Sequence, residues 1–169
     1  IEDRNALVVQ YMGGSVKHTL KGGYLGYGLV HSSQNKNLIG NEEPYQIFYS
    51  KDKSQWFGTI FHQYNVLGIL AFGECAVDNN KHLALIQGFL KSFGKFADMA
   101  IVYRNFDPSF QSRMSQVFSS SGKSQNEKGI YAGFNFFISK EFRVNLSWNS
   151  WQHPWLKYRV DLPTTAKEL

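Results

Sequence analysis

Five histidines (His18, His31, His62, His82 and His153) and one cysteine (Cys75) are the side chains best suited to hold a metal ion or carry a nucleophile. Their spacing serves neither purpose. No two histidines fall in the H-x-x-x-H or H-E-x-x-H pattern that sets two imidazoles on one helical face, and no Cys or carboxylate pair accompanies them. The chain has no G-x-S-x-G, P-loop or G-x-G-x-x-G sequence. "GYLGYG" (23–28) is glycine-rich but alternates as a strand does, so its glycines read as room for close packing. With no nucleophile placed beside a base, the expectation is no enzyme, no cofactor and no metal. Cys75 stands alone, which excludes an intrachain disulfide and reads as a buried, inert thiol.

Two charges inside apolar segments pose a sharper question. Glu74 in "FGECA" and Arg104 in "VYRN" both fall near the ends of candidate strands, with one strand between them. Charges withdrawn from water need partners, so an internal Glu74–Arg104 ion pair is expected, with a selectivity constriction as its functional counterpart. The third cluster is aromatic. In "WNSWQHPWLKYRVDLP", Trp148, Trp151, Trp155 and Tyr158 read as a girdle at a membrane interface or as a platform for stacking sugars. Girdle is the plainer reading, because Trp148 continues the parity of the apolar residues before it.

The elements that must position these residues are strands. In "GIYAGFNFFISKEFRVNLSWNSW" (129–151) every second residue is apolar: Ile130, Ala132, Phe134, Phe136 and Ile138, then Phe142, Val144, Leu146 and Trp148. Alternate strand side chains line one face. A turn at Ser139-Lys140-Glu141 pairs Ile138 with Phe142, Phe136 with Val144 and Phe134 with Leu146, so the two apolar faces coincide. The opposite face carries Tyr131, Asn135, Arg143, Asn145 and Asn149. Similar alternation predicts strands near 5–12, 16–31, 45–64, 66–77, 82–92, 96–105, 129–138 and 142–151. Most are about ten residues long, the length a tilted membrane-crossing strand needs. Gly13-Gly14, Asn65, 92–95 and 139–141 read as tight turns; 32–44, 78–81, 105–128 and 152–169 read as longer links on the other rim, so that short and long alternate strictly. Within "FDPSFQSRMSQVF", Asp107, Pro108 and the stripe Phe110, Met114, Val117/Phe118 predict a short amphipathic helix near 108–118.

Composition agrees. Aromatics are 16% and charged residues only 18% of 169 residues, with 15 glycines, a balance that suits β structure more than a helical bundle. The net charge of +5 is spread without a Lys/Arg block, so a nucleic-acid footprint is not visible. No apolar run suffices for a transmembrane helix, and Ile1-Glu2-Asp3-Arg4 lacks the basic-then-apolar start of a signal peptide.

Four segments in order, "FGECA" (72–76), "VYRNFDPSF" (102–110), "QNEKGIYAG" (125–133) and "HPWLKYRVDLP" (153–163), resemble a family of outer-membrane β-barrel proteins from Bacteroidota. Many of its members have an N-terminal, ComEA-like helix-hairpin-helix region. The resemblance covers roughly residues 66–165. It implies an integral outer-membrane barrel without an established enzymatic role. Family members are longer and end on a strand with a terminal aromatic, whereas this chain ends on "TTAKEL"; the resemblance therefore implies a portion of a larger barrel.

The combined expectation is an all-β chain: an antiparallel up-and-down meander of about eight strands in one domain, forming all or part of a transmembrane barrel. Ile130, Phe134, Phe136, Ile138, Phe142, Val144 and Leu146 would face lipid, in the outer membrane of a Gram-negative bacterium. The role would be structural or transport-related, with outer-membrane lipids and, in an assembly, other outer-membrane proteins as partners. The alternative is a soluble periplasmic β-sandwich or lipocalin-like module binding a sugar or apolar ligand through the Trp/Tyr cluster.

Overall fold

A computed structural model describes residues 7–36, 43–49 and 52–169. They form one antiparallel sheet of nine strands that neighbour each other strictly in chain order. The strands are β1 (Val9–Leu20), β2 (Gly23–Gln34), β3 (Ser54–Val66), β4 (Ile69–Asp78), β5 (Leu83–Ser92), β6 (Ala97–Phe106), β7 (Glu127–Phe137), β8 (Arg143–His153) and β9 (Thr164–Glu168). The first eight have 10 to 13 residues each, about twice the usual strand of soluble domains. The sheet is not closed: among the described residues β1 pairs only with β2, and β9 covers only Asn149–His153 of β8. No described helix is long and apolar enough to cross a membrane, which leaves strands aside.

The β7–β8 hairpin forms in the expected register, with Phe134 opposite Leu146 and Phe136 opposite Val144. Ile138 N donates to Phe142 O across the Ser139–Glu141 turn. Four expectations fail. Gly13-Gly14 is no turn: both lie within β1, paired to Val30 and Leu29. A Cβ on Gly13 would stand 2.7 Å from Leu29 O, so the glycine allows close strand approach. The reversal comes at Lys21-Gly22, where Gly22 supplies φ +91°. Asn65 is likewise inside β3, and the turn is Leu67-Gly68, both at positive φ (52° and 72°) as a type I′ hairpin demands. Residues 44–46 make one 3-10 turn, set by Pro44, so the strand expected from 45 begins at Ser54. Finally, "TTAKE" is not a tail but β9. Residues 5, 6, 37–42, 50 and 51 of the expected elements lie outside the described residues.

Short and long connections do alternate, except that 79–82 is as short as 93–96. That turn is held by Asp78, whose carboxylate accepts from the backbone of Asn80 and His82 and from the His82 ring at 2.8 Å.

The register divides the sheet into two unlike faces. One carries Val16, Leu29, Ile60, Val77, Phe89, Ile101, Phe134 and Leu146, one from each of β1 to β8. Most of these are exposed, and no described segment covers them. Cys75 belongs to this face and is exposed, not buried, because its neighbours Ile60 and Leu85 are exposed or half-buried beside it. The face also carries polar residues, His18, His31, His62, Gln87, Lys91, Asn105 and Lys128 among them. Gln87 gives its amide to the carbonyls of Phe72 and Gly88, and Lys91 reaches back to Leu67 O at the short-turn end. Lys91 pairs with Met99, so it does not share a face with Asp98.

The other face is polar and glycine-dotted, and among the described residues it holds the cluster of buried apolar side chains. Phe57, Ala84 and Phe106 from the sheet pack against Phe110 from the 107–126 connection, with Phe57 and Phe110 edge-to-face at 5.7 Å. The residues expected as a helix near 108–118 follow an irregular path instead. Asp107 caps a turn by accepting from Ser109 N, and Phe110 N bonds Asp107 O. The apolar stripe is real, but Phe110 and Val117 each reach the sheet directly. That burial, about 1.5–3 kcal/mol for a side chain such as Phe, outweighs one or two helical turns of a serine-rich segment.

Candidate functional site

The candidate site is the polar face under the 107–126 segment, at the long-loop end. Its anchor is Arg104 on β6. The side chain is fully buried; Nε donates to Glu127 Oε1 at 2.5 Å, and Nη2 donates to Asn149 Oδ1 at 3.0 Å. Gly129 makes this possible: it pairs with Arg104, and a Cβ there would stand 2.9 Å from the guanidinium. Arg104 thus passes over β7 to reach Asn149 on β8. Phe118 covers the guanidinium at 5.4 Å and stacks edge-on with Tyr131. Glu127 in turn accepts from the backbone and hydroxyl of Ser120, so the ion pair fastens the connection to the sheet. Arg104 Nη1 is buried without a partner among the described residues.

The expected Glu74–Arg104 pair is therefore absent. Glu74 and Arg104 do lie in one register row, but Ile86 of β5 sits between them. Two strand spacings separate them by about 9–10 Å, too far for direct contact, while Glu127 is a diagonal neighbour on the adjacent strand. Glu74 instead accepts from the Thr59 hydroxyl at 2.7 Å. β7 begins at Glu127, two residues before the Gly129 start that the alternation predicts, and this brings Glu127 into the sheet. The signal was present: Glu127 continues the alternation of Gly129, Tyr131, Gly133 and Asn135.

The aromatic cluster also divides. Trp148 is exposed on the apolar face with Ile130, Phe134, Phe136 and Leu146, beside the half-buried Val144, while Ile138 and Phe142 close the hairpin end, exposed as well. Trp151 pairs with Gly129 and takes the opposite parity. Trp155 and Tyr158 turn to the loops: Trp155 Nε1 donates to Pro44 O and its ring meets Phe48 at 5.0 Å, while Tyr158 meets Tyr45 at 5.6 Å. A four-membered girdle does not form, because Pro154 follows the end of β8 and the chain folds back over the rim. Asn126 ties this corner together, exchanging hydrogen bonds with the Trp155 backbone at 2.7 and 3.0 Å. His153 Nδ1 contacts Asn126 O at 2.8 Å. The connections 43–49, 107–126 and 154–163 thereby knit into one cap.

Between the cap and the sheet lies a cavity of about 240 Å³, walled by Phe57, Ala84, Ile86, Phe106, Phe110 and Val117, with Glu74 and Thr59 at its polar side. Among the described residues no group of three or more His, Cys, Asp or Glu side chains could hold a metal ion.

No protein-family model matches the chain, and neither the curated proteins nor the solved structures contain a significant match to it.

Proposed function

We propose that this chain is a membrane-spanning portion of an outer-membrane β-barrel of a Gram-negative bacterium, with a structural or transport role and no enzymatic one. One observation carries the reading: the apolar face runs uncovered across eight long strands, and of the polar residues on it Gln87 is satisfied by backbone carbonyls and Lys91 sits near the short-turn end. A soluble sheet would need a second layer there, since exposed apolar patches on soluble monomers rarely exceed a few hundred Å². The strand lengths match a tilted crossing of the hydrocarbon layer. The polar face is then the lumen side, and the 107–126 segment is its plug. The motif resemblance to Bacteroidota outer-membrane barrels points the same way. Outer-membrane lipids are the immediate partners, with neighbouring barrel proteins in any larger assembly.

The native thiol supplies the test. Cys75 sits mid-strand on the apolar face. In reconstituted vesicles it is expected to resist a charged, water-soluble maleimide and to react with a pyrene maleimide that partitions into lipid. Rapid labelling of Cys75 by the charged reagent in folded, vesicle-inserted protein, or recovery of the protein from the soluble fraction without detergent, would reject the membrane reading.

A further inference from the structure

The cavity beneath the plug has a composition that selects a ligand. Its walls are aliphatic and aromatic, with Phe57, Phe106 and Phe110 meeting at one side. Its acidic group is Glu74, which is exposed to solvent, accepts from the Thr59 hydroxyl at Oε1 and forms no ion pair among the described residues. Arg113 also lines the cavity but gives its Nη1 to Gln34 at 2.8 Å. A carboxylate that borders apolar walls and is engaged in no ion pair attracts a positive ligand, and aromatic rings add attraction for a weakly hydrated cation. The volume, about 240 Å³, is a little below the ~300–1,000 Å³ of drug-sized sites, so the ligand is small.

We infer that this cavity is a binding site for a small organic cation with an apolar body, a quaternary or alkylated ammonium, held between the Phe57/Phe110 rings and the Glu74 carboxylate. The inference stands on the polar face alone and does not depend on what meets the opposite one.

The experiment uses the protein purified in a non-ionic detergent, with benzyltrimethylammonium and its uncharged carbon isostere, neopentylbenzene, as probes in calorimetric titration. Saturable one-site binding of the cation is expected, at least tenfold tighter than the isostere. Glu74→Gln keeps an oxygen for Thr59 while removing the charge; it is expected to weaken the cation tenfold or more and leave the isostere unchanged. Ala84→Leu, which fills the cavity from the sheet side, is expected to weaken both probes. Absence of saturable cation binding, equal affinity for the two probes, or a Glu74→Gln protein that binds the cation as before would each overturn the site.

Discussion

Arg104 and Glu127 meet on adjacent strands with 2.5 Å between Nε and Oε1, both side chains entirely withdrawn from solvent. A buried pair of this kind is weak evidence of net stabilisation, yet losing one member leaves a bare charge. Glu127→Gln is therefore expected to cost about 3–5 kcal/mol in denaturant unfolding. Adding Arg104→Met should restore part of that loss, with a coupling of about 0.5–3 kcal/mol. Arg104→Met combined with Glu74→Gln should be additive within about 0.5 kcal/mol, since Ile86 stands between those two sites. Additivity of the Arg104 and Glu127 changes would refute the pairing.

The proposal that the apolar face meets lipid can be tested at a single position. Leu146, opposite Phe134 and 57% exposed, becomes costly to charge if it lies in the hydrocarbon layer. Leu146→Arg is expected to destabilise the folded protein in bilayers by about 2–4 kcal/mol near the midplane. Asn145→Arg, one residue away on the polar face, should be tolerated. Equal effects at both positions would show that the faces are not distinguished by their surroundings.

Aromatic rings lie over polar-face glycines at two places: Phe61 over Gly26 and Phe72 over Gly88, with ring atoms 2.2 Å from where a Cβ would stand. Such rings compensate for the missing side chain and lock neighbouring strands in register. Gly88→Val should cost about 1–3 kcal/mol through overpacking. Phe72→Ala in the same protein should recover much of it, as unfolding curves of the four cycle members would reveal; a Gly88→Val protein as stable as the parent would dismiss the interlock.

Asn126 has φ 51° and holds the Trp155 backbone from both sides of its amide. Asn126→Ala removes two hydrogen bonds, each worth about 0.5–1.5 kcal/mol, and strains the backbone. Limited proteolysis within 107–126 is expected to accelerate about tenfold, because cleavage follows the population of the opened segment. Unchanged cleavage would mean that other contacts close the cap.

Much of the sheet could be read from alternation. The β7–β8 hairpin was predictable down to its pairs because its two parity classes are unmixed and the turn is short. β1 and β2 were not, because glycine and tyrosine occupy both faces there and Gly13-Gly14 imitates a turn without adopting positive φ. Tertiary contact decided what local pattern could not: the Phe110–Val117 stripe has helical spacing, yet the sheet beneath it supplies a better partner than another helical turn. Glu74 and Arg104 are legible in the sequence as charges in strands. Their partners were missed because alternation fixes a face, whereas pairing depends on which strands adjoin.

The two margins of the sheet are unequal. β1 offers a full strand of amides and carbonyls along its outer border, while β8 is fringed only by the short β9 at one end. A ribbon with an open selvedge of that length invites any extended peptide to lie alongside it. Handled apart from whatever borders it in the cell, the protein should stick to itself strand against strand, through its backbone rather than through its oily side.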